Sequence, residues 1–195
     1  MTLPHIYLAS KSPRRRKMLE MIGINFSLLD IEVDEDKHFA ENPGEYVLNL
    51  SEKKANEAAG KIANGIIAAA DTIVYINGQV LNKPKDADDA RRMLSILSGR
   101  THQVYSGFTL LKIPENKILR DFEVTDVTFR NLSAGEIEEY IQSGAAFDKA
   151  GAYGIQDDLS AVFVKRIEGD FYNVVGLPLT KFYLALRGFS FDNSR

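Results

Sequence analysis

Residues 6–16 have the sequence Ile6-Tyr7-Leu8-Ala9-Ser10-Lys11-Ser12-Pro13-Arg14-Arg15-Arg16. This stretch predicts a short buried strand, a tight polar turn and the beginning of a helix. Ser12 suits the residue that caps a helix N-terminus, and Pro13 suits the first helical position, where a missing N–H costs nothing. Apolar residues then recur at helical spacing as far as Gly23, a residue typical of a helix end. The sequence therefore predicts a strand–turn–helix unit at the start of an α/β fold.

The turn of this unit is a candidate phosphate site. A helix N-terminus presents free N–H groups and a partial positive charge, so it attracts anions. Ser10 and Ser12 add hydroxyl groups, and the guanidinium groups of Arg14 and Arg15 match phosphate oxygens in pairs. The positive end of the helix dipole repels basic residues at this position, so helix stability alone does not explain why they are there. The alternative is a capped surface helix with a solvated basic first turn.

The composition is that of a globular protein with a small negative charge. The 195 residues are 45% hydrophobic, enough for one ample core or two small ones. The net charge of −3 argues against general nucleic-acid binding, and the absence of cysteine excludes disulfides and thiolate metal sites. No apolar run approaches the ~20 residues of a membrane helix, and the N-terminus lacks a signal-peptide pattern. We expect a cytoplasmic enzyme or binding protein with no nucleic-acid or membrane partner.

Asp71 interrupts the most apolar run of the chain, residues 66–76, which predicts a central strand. A carboxylate there must be paired, metal-bound or catalytic, because an isolated buried charge is too costly. Asn77-Gly78 predicts a two-residue hairpin, whose register brings Lys83 within about one residue of Asp71. A purely structural salt bridge is the alternative to a catalytic role.

A second lysine lies on the inner stripe of a predicted helix that begins at Pro43. Lys54 follows Leu50 by four residues on that stripe, so it points either to the rim of the helix or into a cleft. Its neighbour Lys53 lies on the wetter side of the helix. Lys54 is therefore a candidate site residue, with Lys53 as its natural comparison.

Two polar segments complete the set of candidates. Residues 32–36 are acidic, which predicts either a solvated loop or hard oxygen ligands for a divalent cation. Residues 148–156 form a glycine-rich loop that suits close approach to a ligand and ends in Gln156, whose amide suits the edge of a base. His102 is given no role.

The rest of the chain alternates between predicted helices and strands. Periodicity and end signals predict helices over residues 86–98, 133–144 and 178–186, the last of them stopped by Gly188. They also predict a turn over 169–173 and strands over 26–31, 102–112, 118–130 and 159–167. The apolar parity of the strand over 118–130 changes after Val124, which indicates a bulge or a crossing between two parts of the sheet.

In this order, the motifs resemble those of the Maf family of nucleoside triphosphate pyrophosphatases. The matching segments are Ser10-Lys11-Ser12-Pro13-Arg14-Arg15, Asp34-Glu35, Lys54-Ala55, Ala70-Asp71-Thr72, Lys83-Pro84, Leu97-Ser98-Gly99, Asp148-Lys149-Ala150-Gly151-Ala152-Tyr153-Gly154-Ile155-Gln156 and Val174-Val175-Gly176-Leu177-Pro178. Their fixed order over nearly the whole chain makes the resemblance specific.

The resemblance implies a fold and an organisation. It implies an elongated mixed β-sheet flanked by helices with a central cleft, similar to the fold of the inosine triphosphate pyrophosphatases. We accordingly expect residues 1–189 to form a single α/β domain with two lobes around that cleft, followed by a frayed tail over residues 190–195. Homodimers are common in the family.

The resemblance also implies an activity. Arg14, Thr72 and Gln156 match the branch that hydrolyses dTTP and UTP to the monophosphate and pyrophosphate. Its implied catalytic residues are Asp71, Lys54 and Lys83, and its substrate-binding residues are Ser10, Ser12, Arg14, Arg15, Thr72 and Gln156. Glu35, or Asp34 beside it, would join Asp71 in holding a divalent cation, most simply Mg²⁺ with Mn²⁺ as the alternative.

Two other functions fit the same pattern. One is pyrophosphatase activity on modified or non-standard nucleotides. The other is a non-catalytic nucleotide-binding regulator of cell division, as the family's septum-formation name suggests. Pyrophosphate release from a panel of triphosphates separates them, because a regulator would bind nucleotide without turnover.

Overall fold

The computed structural model of the chain describes residues 3–33, 42–156 and 159–191. Its strands are β1 (Ile6–Ala9), β2 (Phe26–Leu28), β3 (Gly65–Ile76), β4 (Gln79–Leu81), β5 (Thr101–Ile113), β6 (Lys117–Phe129) and β7 (Val164–Glu168). Its α-helices are α1 (Pro13–Met21), α2 (Pro43–Ala59), α3 (Ala87–Leu97), α4 (Ala134–Gln142), α5 (Phe171–Val175) and α6 (Leu179–Phe191).

The strands form one mixed sheet in the order β2-β1-β3-β5-β6-β7, and β4 pairs with β3. The strands β1, β2 and β3 are parallel, whereas β4 is antiparallel to β3 and β7 is antiparallel to β6. This sheet with its helices confirms the predicted mixed α/β class. None of the helices in the described ranges combines the length and the apolar character needed to cross a bilayer.

Contacts within the chain define two compact units. The first comprises the described residues up to Asp71, residues 106–123 and those from Gly176 onward; the second comprises residues 72–105 and 124–175. The central cleft and the two-lobed single domain stay predictions of the family resemblance.

In the first unit, small residues let helix α2 pack closely on the sheet. Ala55 and Ala58 of α2 form a buried cluster with Ile67 and Ala69 of β3, together with Leu111 of β5. Packing density in such a cluster favours short side chains where a helix backbone approaches a strand. The apolar stripe predicted for this helix is therefore confirmed as its buried face.

In the second unit, the predicted hairpin has the expected register. Val74 pairs with Leu81 and Ile76 pairs with Gln79, and the two turn residues both have positive φ, 52° at Asn77 and 77° at Gly78. Such a turn matches the right-handed twist of the flanking strands. This hairpin contributes to a core formed with α3 and α4.

The caps of both core helices are those that the sequence predicts. The Asp86 side chain accepts a hydrogen bond from the backbone N–H of Asp89 at 2.8 Å, at the beginning of α3. At the beginning of α4, Ser133 and Glu136 each accept a hydrogen bond from the other's backbone N–H. These bonds satisfy helix N–H groups that have no partner inside the helix.

The predicted change of face along β6 occurs where this strand passes from one unit to the other. Phe122, in the first unit, packs against Gly44 of α2, where an added Cβ would lie 2.7 Å from the ring. Val127 and Phe129 belong to the core of the second unit. The register of β6 against β7 also shifts between Thr128 and Phe129, as in a bulge.

Three predictions near the C-terminus are wrong in detail. The first half of the predicted strand over residues 159–167 is a 3₁₀ helix, Leu159–Phe163, and the strand itself is β7. Residues after Asp170, predicted as a turn, form α5. The last helix does not end at Gly188 but continues to Phe191.

The predicted frayed tail, residues 190–195, thus includes the last residues of α6. Residues 192–195 lie outside the described residues.

Candidate functional site

The turn after β1 is built as a helix cap. The Ser12 hydroxyl accepts a hydrogen bond from the Arg15 backbone N–H at 3.5 Å, and the buried Ser10 hydroxyl accepts one from the Ser12 N–H at 3.3 Å. Pro13 is the first residue of α1, as predicted. The polar residues of the turn therefore fix the direction of the helix N-terminus.

Arg15 is held by two contacts within the first unit. Its Nη1 donates to the Ser10 hydroxyl at 3.1 Å, and its Nε donates to the Gly176 carbonyl at 2.8 Å. Arg14 lies beside it in the first turn of α1 and is half-buried. The guanidinium of Arg15 is therefore oriented by the protein itself, whereas phosphate binding by either arginine stays a prediction.

Parallel pairing brings this turn next to Asp71. Ala9, the last residue of β1, pairs with Ala69 of β3, so Ser10 lies beside Ala70 on the neighbouring strand. Neighbouring strands are about 4.8 Å apart. Asp71 is the next residue of β3, which continues to Ile76 beyond the end of β1, and therefore the carboxylate lies beside the turn in the middle of the longer strand.

Asp71 forms a buried ion pair with Lys54. The Lys54 ammonium donates to the Asp71 Oδ1 at 2.6 Å, and the two side chains are only 13% and 11% exposed. Lys53, the preceding residue of α2, is exposed. The structure thus confirms that the interrupting aspartate is paired, and that Lys54 rather than Lys53 lies on the inner side of the helix.

The second unit holds the other predicted site residues. Thr72 is half-buried on β3, Lys83 is exposed two residues after β4, and Gln156 is exposed at the end of the glycine-rich loop. The Gly151 N–H donates to the Asn82 carbonyl at 3.1 Å, which ties this loop to the residue before Lys83. The catalytic and base-reading roles of Thr72, Lys83 and Gln156 stay predictions.

The glycine-rich loop turns sharply at two consecutive residues with left-handed backbone. Gly151 has φ 67° and Ala152 has φ 63°, a conformation that costs an alanine about 1–2 kcal/mol. Gly151 also packs on Val74, where an added Cβ would lie 2.9 Å from a methyl group. The loop therefore depends on contacts elsewhere to hold this conformation.

His102 supplies one such contact, and sequence reasoning gave this residue no role. Its Nε2 and the Tyr153 hydroxyl of the loop are 2.8 Å apart and share a hydrogen bond inside the core. Burial lowers the pKa of His102 to about 3, so the imidazole is neutral at physiological pH, and burial also raises the pKa of Tyr153. The strand position of His102 could have indicated its burial, because alternate residues at the beginning of β5 face the core and His102 is one of them.

Asp71 is one of the predicted metal ligands, and it lies within the described part of the chain. Asp34 and Glu35, the predicted alternatives for the second metal ligand, lie outside the described residues. Within the described ranges, no group of three or more His, Asp or Glu side chains is placed to hold a metal ion by itself. Asp71 is therefore the one predicted ligand whose surroundings are known.

By its fold and geometry, this is an α/β protein that places a capped, arginine-bearing turn beside a buried Asp–Lys pair. The chain belongs to the Maf-like protein family, whose family model matches residues 5–189. This match covers both units and all of the predicted site residues.

Several similar proteins are named dTTP/UTP pyrophosphatase. One from Carboxydothermus hydrogenoformans is 50% identical over 93% of this chain and 97% of its own. One from Caldanaerobacter subterraneus subsp. tengcongensis is 43% identical over 97% and 96%, and one from Clostridium perfringens is 47% identical over 94% and 96%. Among solved structures, the Staphylococcus aureus Ham1 protein aligns with a TM-score of 0.48 and 14% identity, over 65% of this chain and 72% of that one.

Proposed function

We propose that this protein hydrolyses dTTP and UTP to the nucleoside monophosphate and pyrophosphate. The relatives that share 43–50% of its residues over nearly its whole length carry the name of that activity. The observation that carries the proposal is the buried Lys54–Asp71 pair, which lies beside the end of β1 that bears the arginine turn. A carboxylate and an ammonium buried together beside a helix N-terminus suit a reaction in which negative charge moves.

The basic groups would bind the triphosphate and oppose its charge. A nucleoside triphosphate brings about four negative charges, so cleavage needs positive groups fixed in advance. Arg14, Arg15 and the N–H groups of the Ser12 turn would contact phosphate oxygens, with Lys54 and Lys83 adding charge. Arg15 is already oriented by Gly176, so little of its freedom would be lost on binding.

Asp71 would accept the proton of the attacking water as the bridge between the α- and β-phosphates is cleaved. Water supplies the new oxygen on the monophosphate, and pyrophosphate leaves with the bridging oxygen. Because Lys54 contacts Oδ1 at 2.6 Å, the ion pair would hold that carboxylate in one orientation for this proton transfer.

A divalent cation, most simply Mg²⁺, fits the donors present. Mg²⁺ at phosphate sites is held by one or two carboxylates together with phosphate oxygens and waters. Asp71 supplies a buried carboxylate of that kind, and Glu35 would supply the second. When bound, the cation makes water more acidic and neutralises phosphate charge.

Thr72 and Gln156 would recognise the base. The amide of Gln156 offers both a donor and an acceptor, which matches the 4-oxo group and N3–H of thymine and uracil. Cytosine presents the opposite pattern, and each mismatched buried polar group costs about 1–3 kcal/mol. The proposal therefore includes discrimination against CTP. A cytoplasmic location, expected from the sequence pattern, and a homodimer, expected from the family resemblance, stay predictions.

Pyrophosphate release from a panel of triphosphates with Mg²⁺ tests the function. We expect turnover of dTTP and UTP well above CTP, and a decrease of about 10³-fold in Asp71→Asn because the proton acceptor is lost. The matched control is Asp88→Asn, which removes an exposed carboxylate from α3 and should leave turnover unchanged.

Other outcomes identify the alternatives. Binding without turnover would contradict the hydrolase and favour a nucleotide-binding regulator. Faster turnover of modified nucleotides than of dTTP would favour the pool-cleaning activity.

A further inference from the structure

The core of the second unit contains three aromatic side chains from three different segments that contact one another edge to face. His102 of β5 and Phe129 of β6 have ring centroids 5.0 Å apart, and Tyr153 of the glycine-rich loop lies 5.3 Å from the first and 4.7 Å from the second. Edge-to-face pairs of this kind add about 0.5–1.5 kcal/mol beyond the area that they bury. This aromatic triad therefore fixes the place of Tyr153.

One hydrogen bond joins two members of the triad. The His102 Nε2 and the Tyr153 hydroxyl are 2.8 Å apart, and the two residues are only 2% and 5% exposed. In such surroundings a hydroxyl that loses its partner keeps the whole cost of its desolvation. Removing the histidine side chain should therefore make this position of the tyrosine less favourable.

The loop is tied down on both sides of Tyr153. Before it, the Gly151 N–H donates to the Asn82 carbonyl. After it, the buried Ser160 hydroxyl donates to the Gly154 carbonyl at 2.7 Å, and Ile155 is buried as well. Gln156 is the next residue and is exposed. The last fixed points before Gln156 are therefore Tyr153, Gly154 and Ile155.

We propose that His102 is a positioning residue for base recognition: through Tyr153 it holds the glycine-rich loop in the strained conformation that presents Gln156 to the nucleotide. The inference rests on the proposed pyrophosphatase function and assigns a role to a residue outside the reacting groups. Because neither His102 nor Tyr153 is among the proposed phosphate-binding or proton-accepting groups, their loss should act on nucleotide binding rather than on the chemical step.

The test compares Tyr153→Phe with Tyr140→Phe. Both changes remove the hydroxyl of a buried tyrosine in the same core cluster and keep the ring, but Tyr140 lies on α4 rather than in the loop. We expect Tyr153→Phe to lower the ratio of kcat/KM for dTTP to that for CTP about tenfold, by raising the KM for dTTP while kcat changes less than about twofold. Tyr140→Phe should leave the ratio unchanged.

Two further variants separate positioning from a general loss of structure. His102→Leu should reproduce the effect of Tyr153→Phe, whereas His102→Gln, whose amide reaches the place of Nε2, should keep most of the selectivity. Hydrogen exchange of the amides of residues 149–156 should rise in Tyr153→Phe and His102→Leu but not in Tyr140→Phe.

Each result decides between the two proposals. Wild-type protein that releases no pyrophosphate from dTTP or UTP overturns the proposed function and this role with it. Active wild type with unchanged selectivity in Tyr153→Phe overturns the role of His102 alone. An equal decrease in kcat for every nucleotide, with unchanged KM, also overturns it, because that is the signature of a smaller folded fraction.

Discussion

The two units hold their candidate residues by different means. In the first, the contacts are made by charged side chains: Lys54 meets Asp71 at 2.6 Å, and Arg15 meets a serine hydroxyl and the Gly176 carbonyl. In the second, the hydrogen bonds that hold the glycine-rich loop at Tyr153 and on either side of it join neutral groups, as between His102 and Tyr153. The difference suits the two proposed tasks, which are binding of a charged triphosphate and recognition of the donors and acceptors of a base.

Substitutions in the two units should therefore have different effects. The charged side chains of the first unit would bind the triphosphate, which all nucleoside triphosphates share, so replacing them should affect every nucleotide alike. The glycine-rich loop of the second unit would bind the base, so altering its conformation should change the selectivity among nucleotides. Substitutions at Lys54 and at Gln156 test that separation.

After Asp71→Asn, the largest effect is expected from Lys54→Met. Removing the ammonium leaves Asp71 buried without this partner, and we expect a loss of about 3 kcal/mol in the free energy of unfolding. Turnover should decrease about 100-fold for dTTP, UTP and CTP alike, because a fixed positive charge is lost. Urea denaturation and pyrophosphate release measure the two effects.

Lys53→Met is the matched control for that change. It removes the same charge one residue earlier on α2, from an exposed side chain. Turnover and stability should stay within about twofold and 0.5 kcal/mol of wild type. Equal losses in the two variants would mean that the buried pair has no special role.

Gln156→Glu should alter the choice of nucleotide. A carboxylate cannot donate to the 4-oxo group, so kcat/KM for dTTP should decrease about tenfold, while inhibition by tripolyphosphate, which reports phosphate binding alone, should not change. Gln142→Glu, the same change at an exposed residue of α4, serves as the control. Equal decreases in turnover and in tripolyphosphate binding would show that Gln156 does not recognise the base.

The smallest effect is a dependence of stability on pH. Burial holds the pKa of His102 at about 3, below its ordinary 6.5, so between these values the unfolded chain takes up a proton that the folded protein does not. The free energy of unfolding should therefore fall on acidification, by about 1 kcal/mol per pH unit from this residue. Urea denaturation at pH 4.5–6.5 measures the slope, which His102→Gln should reduce.

The lower limit of pH 4.5 excludes the range in which carboxylates such as Glu136 titrate, so the slope reports on His102. A hydrogen bond from Arg130, with others from Ser133, lowers the pKa of Glu136 to about 2. The stability that Glu136 contributes is lost only as the pH falls from about 4.5 towards 2. An unchanged slope in His102→Gln would show that another group titrates in the upper range.

The sequence predicted those features that local rules determine. Ser12, Asp86 and Ser133 are helix caps because their short side chains reach free N–H groups, and Asn77-Gly78 fixes the hairpin register because only such residues accept positive φ readily. Its apolar surroundings predict that Asp71 is paired, metal-bound or catalytic, and the structure pairs it with Lys54, a candidate from helical spacing, whereas the hairpin register had pointed to Lys83 as its neighbour.

Features that depend on distant contacts were not foreseen. Residues 159–163 are apolar enough for a strand, yet the Ser160 hydroxyl bonds to Gly154 and the segment forms a 3₁₀ helix. His102 was left without a role because its partner Tyr153 lies 51 residues away along the chain. Gly188 did not end α6, since a glycine inside a helix costs only about 1 kcal/mol, an amount that tertiary packing can offset.

The contact between Gly151 and Val74 restricts how this protein can be re-engineered. A methyl group at residue 151 would meet the valine at 2.9 Å and would also sit on a left-handed backbone. Libraries that diversify the loop to accept new bases should therefore keep this glycine fixed. Diversity is better placed at Gln156, whose exposed side chain leaves room for replacement.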